Sequence, residues 1–256
     1  MSELRFGLKK EFLEAFRTKK LLVLGIIALF FALLDPVMLK MTPYLLKEFS
    51  GIDMGDMIQL TQIAELMDFH QDIYQLFTII LVIIIGNVWL NEVKQRTLVI
   101  PVSKGLKLST IILAKIITYA VIVNLLLYIA YTLNYYYSGI IFGFGVDYYQ
   151  VISSAVMMGL FYTFCIVFII SISILLSNFS AVVFITLLVT FGGPFIASLL
   201  KVEAYTPYGL LNEASVFPKI LSRTVISNTF SVVVVSLIIY YFGTIIANKK
   251  EIIKYK

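Results

Sequence analysis

Residues 151–176 read VISSAVMMGLFYTFCIVFIISISILL, twenty-six positions without one charged side chain. About 20 apolar residues are enough to cross the hydrocarbon of a bilayer as a helix. The run is apolar on every face, so the one-sided period of a surface helix is missing. Backbone groups inside hydrocarbon have no water to bond, which makes a helix the economical form. A membrane barrel would instead need many segments of about 10 alternating residues, and the sequence contains none.

Five further runs share this character: Leu21–Leu39, Ile73–Leu90, Leu108–Tyr137, Ala181–Leu200 and Val225–Ala247. The first is interrupted by Asp35-Pro36, and the third is long enough to tilt or to extend past the bilayer. Gly192-Gly193-Pro194 is expected to kink or break the fifth, because proline removes a backbone donor. The expected fold is all-α: a single transmembrane domain over 1–256 with spans at 21–39, 73–90, 108–137, 151–176, 181–200 and 225–247. No small-x-small cleavage site follows the first run (Phe31-Ala32-Leu33-Leu34-Asp35-Pro36), so it reads as an uncleaved span rather than a signal peptide.

Composition agrees. The chain is 60% apolar and 14% charged, with a mean hydropathy of +0.96, against roughly 45–50% and about 25% in soluble domains. A soluble enzyme, a disordered chain and a coiled coil are excluded. A single cysteine, Cys165, excludes a disulfide framework and multi-cysteine metal sites, and a single histidine, His70, excludes any site needing two imidazoles.

Charge fixes the expected orientation. With both termini in the cytoplasm, the inner segments 1–20, 91–107, 177–180 and 248–256, together with Lys115, hold fifteen of the twenty Lys and Arg. Ten of the fifteen acids fall outside, which is the positive-inside pattern. The basic excess then faces anionic lipid, and nucleic acid is not required to explain it. Trp89 is expected at the inner interface, and Tyr135, Tyr136, Tyr137, Tyr148 and Tyr149 as an aromatic belt at the outer one.

Four elements lie outside these runs. Residues 2–18 repeat Leu4, Leu8, Phe12 and Phe16 every fourth position, with basic residues elsewhere, the pattern of an amphipathic helix in the inner interface. In the acidic segment 40–72, Met57–Phe69 carries helical spacing and is expected as a short helix on the outer surface. The Asp68-x-His70-x-Asp72 pattern ending it reads as a solvated helix end, since His70 points away from the face the two acids share. Segment 201–223 holds Tyr205-Thr206-Pro207-Tyr208-Gly209, a turn in an otherwise apolar stretch, and reads as re-entrant or interfacial.

The fourth element is the inner segment 91–109, NEVKQRTLVIPVSKGLKLS. Glu92 through Val99 is expected to form a short charged helix, stopped at Pro101 because the residue before proline avoids helical geometry. Held between two long spans, such an element acts as a lever.

At these residues the chain resembles the permease subunit of an ABC-2 type ABC transporter. Glu92, Thr97, Pro101, Ser103, Lys104 and Lys115 stand where that family's pattern has an acid, a threonine, a proline, a polar or basic stretch and a lysine early in the third span. Arg96 departs from it, at a place where the family commonly has glycine. The resemblance implies cytoplasmic ABC ATPase subunits and a second permease, a second copy or a homologous chain, as partners. It implies that Glu92, Lys94, Arg96, Thr97 and Pro101 form the element that couples to the ATPase. The chain has no G-x-x-x-x-G-K-[ST] phosphate loop. The expectation is therefore no cofactor in this chain, with ATP and Mg bound by the partner, and a multi-pass cell-membrane location with both termini cytoplasmic.

Polar residues inside spans are the usual pointers to a pathway. Asn124, Asn134, Thr163, Thr186 and Thr190 are the candidates. No acid or base sits in the middle of an apolar run, which argues against proton coupling and for a hydrophobic or amphipathic substrate such as a peptide, lipid or drug, with export favoured. A channel or accessory membrane protein outside the ABC class is the alternative. An intramembrane enzyme lacks its chemistry here, with no H-E-x-x-H, no G-x-S-x-G and no paired acids within the runs.

Overall fold

The computed structural model describes residues 2–50, 60–219 and 223–249. They form a helical bundle with no strand among them. In chain order the helices are α1 (Ser2–Arg17), α2 (Lys20–Ser50), α3 (Gln62–Asp72), α4 (Thr78–Lys94), α5 (Val99–Ser103), α6 (Leu108–Phe142), α7 (Tyr148–Leu175), α8 (Phe179–Leu199), α9 (Gly209–Ser215) and α10 (Arg223–Lys249). A π-helical turn, Ile73–Phe77, joins α3 to α4. Six rods are long and apolar enough to cross a membrane: α2, the continuous Gln62–Lys94 rod, α6, α7, α8 and α10.

The uncharged run 151–176 falls in α7, the central post, packed by α4, α6, α8, α9 and α10. Its core side chains, among them Met158, Phe161, Tyr162, Ile166 and Ile170, have no exposed surface. α8 and α10 lie at the periphery and turn Phe184, Phe195, Phe230 and Leu237 outward. That is the exposure expected of helices that face lipid.

Two expectations about proline are corrected. α2 does not end near Leu39 but passes through Pro36 and Pro43 to Ser50. α8 runs unbroken through Gly192, Gly193 and Pro194. Proline at position i frees the carbonyl of i−4, and at Pro36 and Pro194 a side chain takes it up. Asn134 Nδ2 donates to Ala32 O at 3.3 Å, opposite Pro36, and Tyr74 Oη donates to Thr190 O at 2.9 Å, opposite Pro194. One residue earlier, Tyr208 Oη reaches Val189 O at 3.0 Å. The π turn is served likewise: Tyr162 Oη donates to Ile73 O at 2.7 Å.

The expected short outer helix over Met57–Phe69 is also corrected. Residues 57–59 lie outside the described residues, and from Gln62 the chain is already the start of the second long rod. Asp68 is exposed, but His70 is buried and its Nδ1 lies 2.7 Å from Tyr131 Oη, so the stretch is not a solvated helix end. Trp89, expected at an interface, is 1% exposed in the core. Tyr135 is buried as well, in edge-on and tilted ring contact with Tyr136, Phe144 and Tyr148. Segment 201–219 forms a 3-10 turn (Glu203–Tyr205) and then α9, whose Leu210, Leu211 and Ala214 are buried beside α7.

Gly193 sets a test of this packing. A Cβ there would lie 2.2 Å from Tyr208 Cζ, whereas one at Gly192 meets nothing within 4 Å. Gly193→Ala should lower the thermal midpoint of the purified protein, the overpacking costing about 1–3 kcal/mol. Gly192→Ala should raise it slightly through helix propensity. Thermal unfolding followed by intrinsic fluorescence compares the two.

Candidate functional site

The site is the end of the bundle that carries α1. Gly7, Glu11 and Ala15 recur every fourth residue on α1 and form its buried face, while Phe6, Phe12, Leu13 and Phe16 are exposed. Gly7 permits the approach, since a Cβ there would stand 3.0 Å from Ala114 Cβ on α6. The approach buries Glu11 against Lys115 of α6 and Glu92 of α4.

Four charges interlock there. Lys115 Nζ lies 2.5 Å from Glu11 Oε2 and 3.1 Å from Glu92 Oε2. Lys10 Nζ lies 2.6 Å from Glu92 Oε1 and 3.1 Å from Glu11 Oε1, with Glu14 Oε2 at 3.6 Å. Burial works against the Lys10 ammonium, but the Glu11 and Glu92 carboxylates outweigh it and hold the group far above the ordinary lysine range. Burial, and then the Glu92 charge, push the Glu14 carboxyl upward. The carboxylates of Glu11, Glu14 and Glu92 come within 4.8 Å of one another, a spacing suited to a cation. Two ammonium groups already stand among those carboxylates as counter-charges, so the cluster is an ion-pair knot and its donors do not fit a metal.

The knot sits above the chain reversal between α4 and α6. A helix over Glu92–Val99 does not form: α4 ends at Lys94 and α5 begins at Val99. The reason is Arg96, whose φ of +56° lies in the left-handed region. Arg96 N–H bonds Val93 O at 3.2 Å and Thr97 N–H bonds Glu92 O at 3.1 Å, the paired closure that normally has glycine at this position. Pro101 is not the stop. It sits in the first turn of α5, where its missing N–H is not needed.

Leu98, Pro101 and Leu106 are buried and pin the reversal to the bundle. Lys94, Gln95, Arg96, Thr97, Ser103, Lys104 and Lys107 are exposed, with Ile100, 63% exposed, among them. The five residues singled out for coupling therefore divide. Lys94, Arg96 and Thr97 lie on the open surface, and Glu92 and Pro101 are internal. A cavity of about 470 Å³, lined by Asn87, Trp89, Asn91, Lys94, Ser173 and Phe179, opens beside them. Sequence reasoning missed Lys10 and Glu11. The signal was present in the Gly7-Glu11-Ala15 stripe, where small residues flank an acid on one helical face.

The five pathway candidates are placed in three separate interfaces. Asn124 Nδ2 donates to Gly159 O at 3.3 Å and to Thr163 Oγ1 at 3.2 Å, clamping α6 to α7. Asn134 lies at the opposite end of α6, where it donates to Glu65 Oε1 at 2.6 Å. Thr186 and Thr190 are buried on α8, which packs on α4 and α7. Among the described residues they do not converge on one channel. The long helices also contain acids: Asp35, near the end of the first apolar run, lies well inside α2, and Glu65, which no apolar run included, lies inside the Gln62–Lys94 rod.

Lys115→Met should leave Glu11 and Glu92 sharing one counter-charge and destabilise the protein by about 3–5 kcal/mol. Adding Glu92→Gln should recover part of the loss, read as a double-mutant cycle in thermal unfolding. Arg96→Gly should instead stabilise by about 1 kcal/mol, by relieving a left-handed non-glycine residue, and Arg96→Val should do the reverse. Comparison with family models, with curated protein sequences and with solved structures returned no match for this chain.

Proposed function

We propose that the chain is the membrane-spanning permease subunit of an ATP-driven transporter of the ABC-2 type. It exports a hydrophobic or amphipathic substrate, with both termini on the cytoplasmic side of the cell membrane. Separate cytoplasmic ATPase subunits bind ATP and Mg, and a second permease, a copy or a homologous chain, completes the path.

The observation that carries this reading is the reversal at Arg96. A left-handed residue stands where the resembled family has glycine, and the turn it closes hangs a short helix between two long rods. The exposed face of that turn combines an apolar knob, Ile100, with Lys94, Arg96, Lys104 and Lys107. That composition suits a groove with apolar walls and an acidic rim.

Force applied at Ile100 has a short mechanical route. Leu98 and Leu106 root the turn in the core, and the ion-pair knot joins α4 and α6 to α1. A tilt imposed on the turn reaches α4, α6 and α1 together, as alternation between two states of a permease pair requires. With Phe6, Phe12, Leu13 and Phe16 turned outward, α1 is suited to rest in the interface as an amphipathic helix. Segment 201–219, folded beside α7, suits a re-entrant role.

Purification of the tagged chain from its native membrane in mild detergent tests the reading. A P-loop ATPase should co-purify in stoichiometric amount. Ile100→Asp should reduce its recovery at least tenfold while leaving the permease's thermal midpoint unchanged. Absence of an ATPase from the wild-type preparation, or its undiminished recovery with Ile100→Asp, would overturn the proposal.

A further inference from the structure

At the end of the bundle opposite α1, three mutually packed helices carry buried oxygen atoms with nothing to bond. Glu65 on α3 and Asn134 on α6 have no exposed surface, and Asp35 on α2 is 8% exposed. Glu65 Oε2, Asn134 Oδ1 and Asp35 Oδ2 each lack a hydrogen-bond partner.

The orientation of Asn134 is forced. Its Nδ2 donates to Glu65 Oε1 at 2.6 Å and to Ala32 O at 3.3 Å. Turning the amide over would set its oxygen against two acceptors. Both amide hydrogens are therefore committed, and Oδ1 is left beside the Glu65 carboxylate as a bare acceptor. Asp35 belongs to the same locality, since it lies one helical turn beyond Ala32 and within electrostatic reach of Glu65.

The surroundings add acids and no base. Asp68 and Asp72, on the rod that carries Glu65, face Asp35 electrostatically. No lysine or arginine pairs with Asp35 or Glu65 among the described residues. His70 is engaged with Tyr131 Oη at 2.7 Å. Gln62, one turn before Glu65, is committed to Tyr135 O at 3.0 Å and to the backbone N–H groups of Gly145 and Val146. Buried anions without counter-charge are costly, more so inside hydrocarbon. Asp35 and Glu65 are two buried carboxyl groups with no basic partner among the described residues, and the unsatisfied atoms of the cluster are all oxygens.

We propose that Glu65, Asn134 and Asp35 form a binding site for one small monovalent cation, a proton or a sodium ion, buried between α2, α3 and α6. A proton on Glu65 supplies the missing donor, and a sodium ion supplies a centre for the unpartnered oxygens to coordinate. Either one ties the three helices together. Occupancy thereby couples the packing of this end of the bundle to the ionic conditions on the side from which the ion enters. The site stands independently of the ATPase-driven reading, because neither its chemistry nor its test involves a partner.

The test uses the full chain in lipid nanodiscs. Thermal midpoints are recorded from pH 8.5 to 5.5 without sodium, and separately at pH 8.5 with sodium chloride replacing choline chloride at constant ionic strength. A ligand of the folded state raises the midpoint by mass action, by roughly 5–10 °C at a hundredfold excess over its dissociation constant. A rise in the first series identifies the ion as a proton, and a rise in the second as sodium. Glu65→Gln places an amide donor where the ion would sit and should remove the response. A wild-type midpoint flat in both series, or a Glu65→Gln protein that responds like wild type, would overturn the site. If Glu65→Gln does not fold, Asp35→Asn decides instead. It should shift the concentration of half-effect at least fivefold, and an unshifted value would count against the site.

Discussion

A backbone carbonyl inside hydrocarbon has no water to turn to, and the long rods of this protein depend on how that constraint is met. Wherever the regular helical ladder is interrupted by Pro36, by Pro194 or at the π turn, a hydroxyl or amide from a neighbouring helix donates to an affected carbonyl. The donors are Asn134, Tyr74 and Tyr162. Each one sits on a different rod from the carbonyl it serves, so repair of local backbone and cohesion of the bundle are the same hydrogen bonds. This explains how α2 passes Pro36 and α8 passes Pro194 without ending. It also accounts for several polar side chains in the core that need no transported ligand to justify them.

The second organising force is ionic and lies at the α1 end. Lys10, Glu11, Glu92 and Lys115 come from three helices that are far apart in sequence. Ion pairs of this kind add little net stability over an apolar core of equal volume. They do fix geometry, because each member is intolerable without the others. α1 is therefore held in one register on α6, and the reversal below α4 is held with it.

The sequence announced the six rods because their runs are apolar on all faces, and this signal does not depend on partners. Two of the helices extend well beyond their apolar runs. The second rod begins at Gln62, eleven residues before the run at Ile73, and the first continues eleven residues past Leu39 to Ser50. Hydropathy reports preference for solvent, whereas Glu65, His70 and Gln62 are internal because other helices satisfy part of their bonding. The element expected over Glu92–Val99 failed for a local reason: arginine at a left-handed closure carries no compositional mark that distinguishes it from arginine within a helix. Glu92 and Lys115 were each recognisable as residues of interest. Their meeting with Glu11 was not, because it depends on the docking angle that Gly7 allows.

The π turn at Ile73–Phe77 works as a phase shifter. Over the thirty residues from Gln62 to Glu92, a regular helix drifts roughly 120° off its starting face. The wider turn absorbs about one residue of that drift, roughly 100°. A single rod can thus present Gln62 to the core at one end and Glu92 to the core at the other. The two ends are locked in azimuth through five residues. Any relaxation of the π turn to regular α geometry would twist one end against the other, as a torsion bar does.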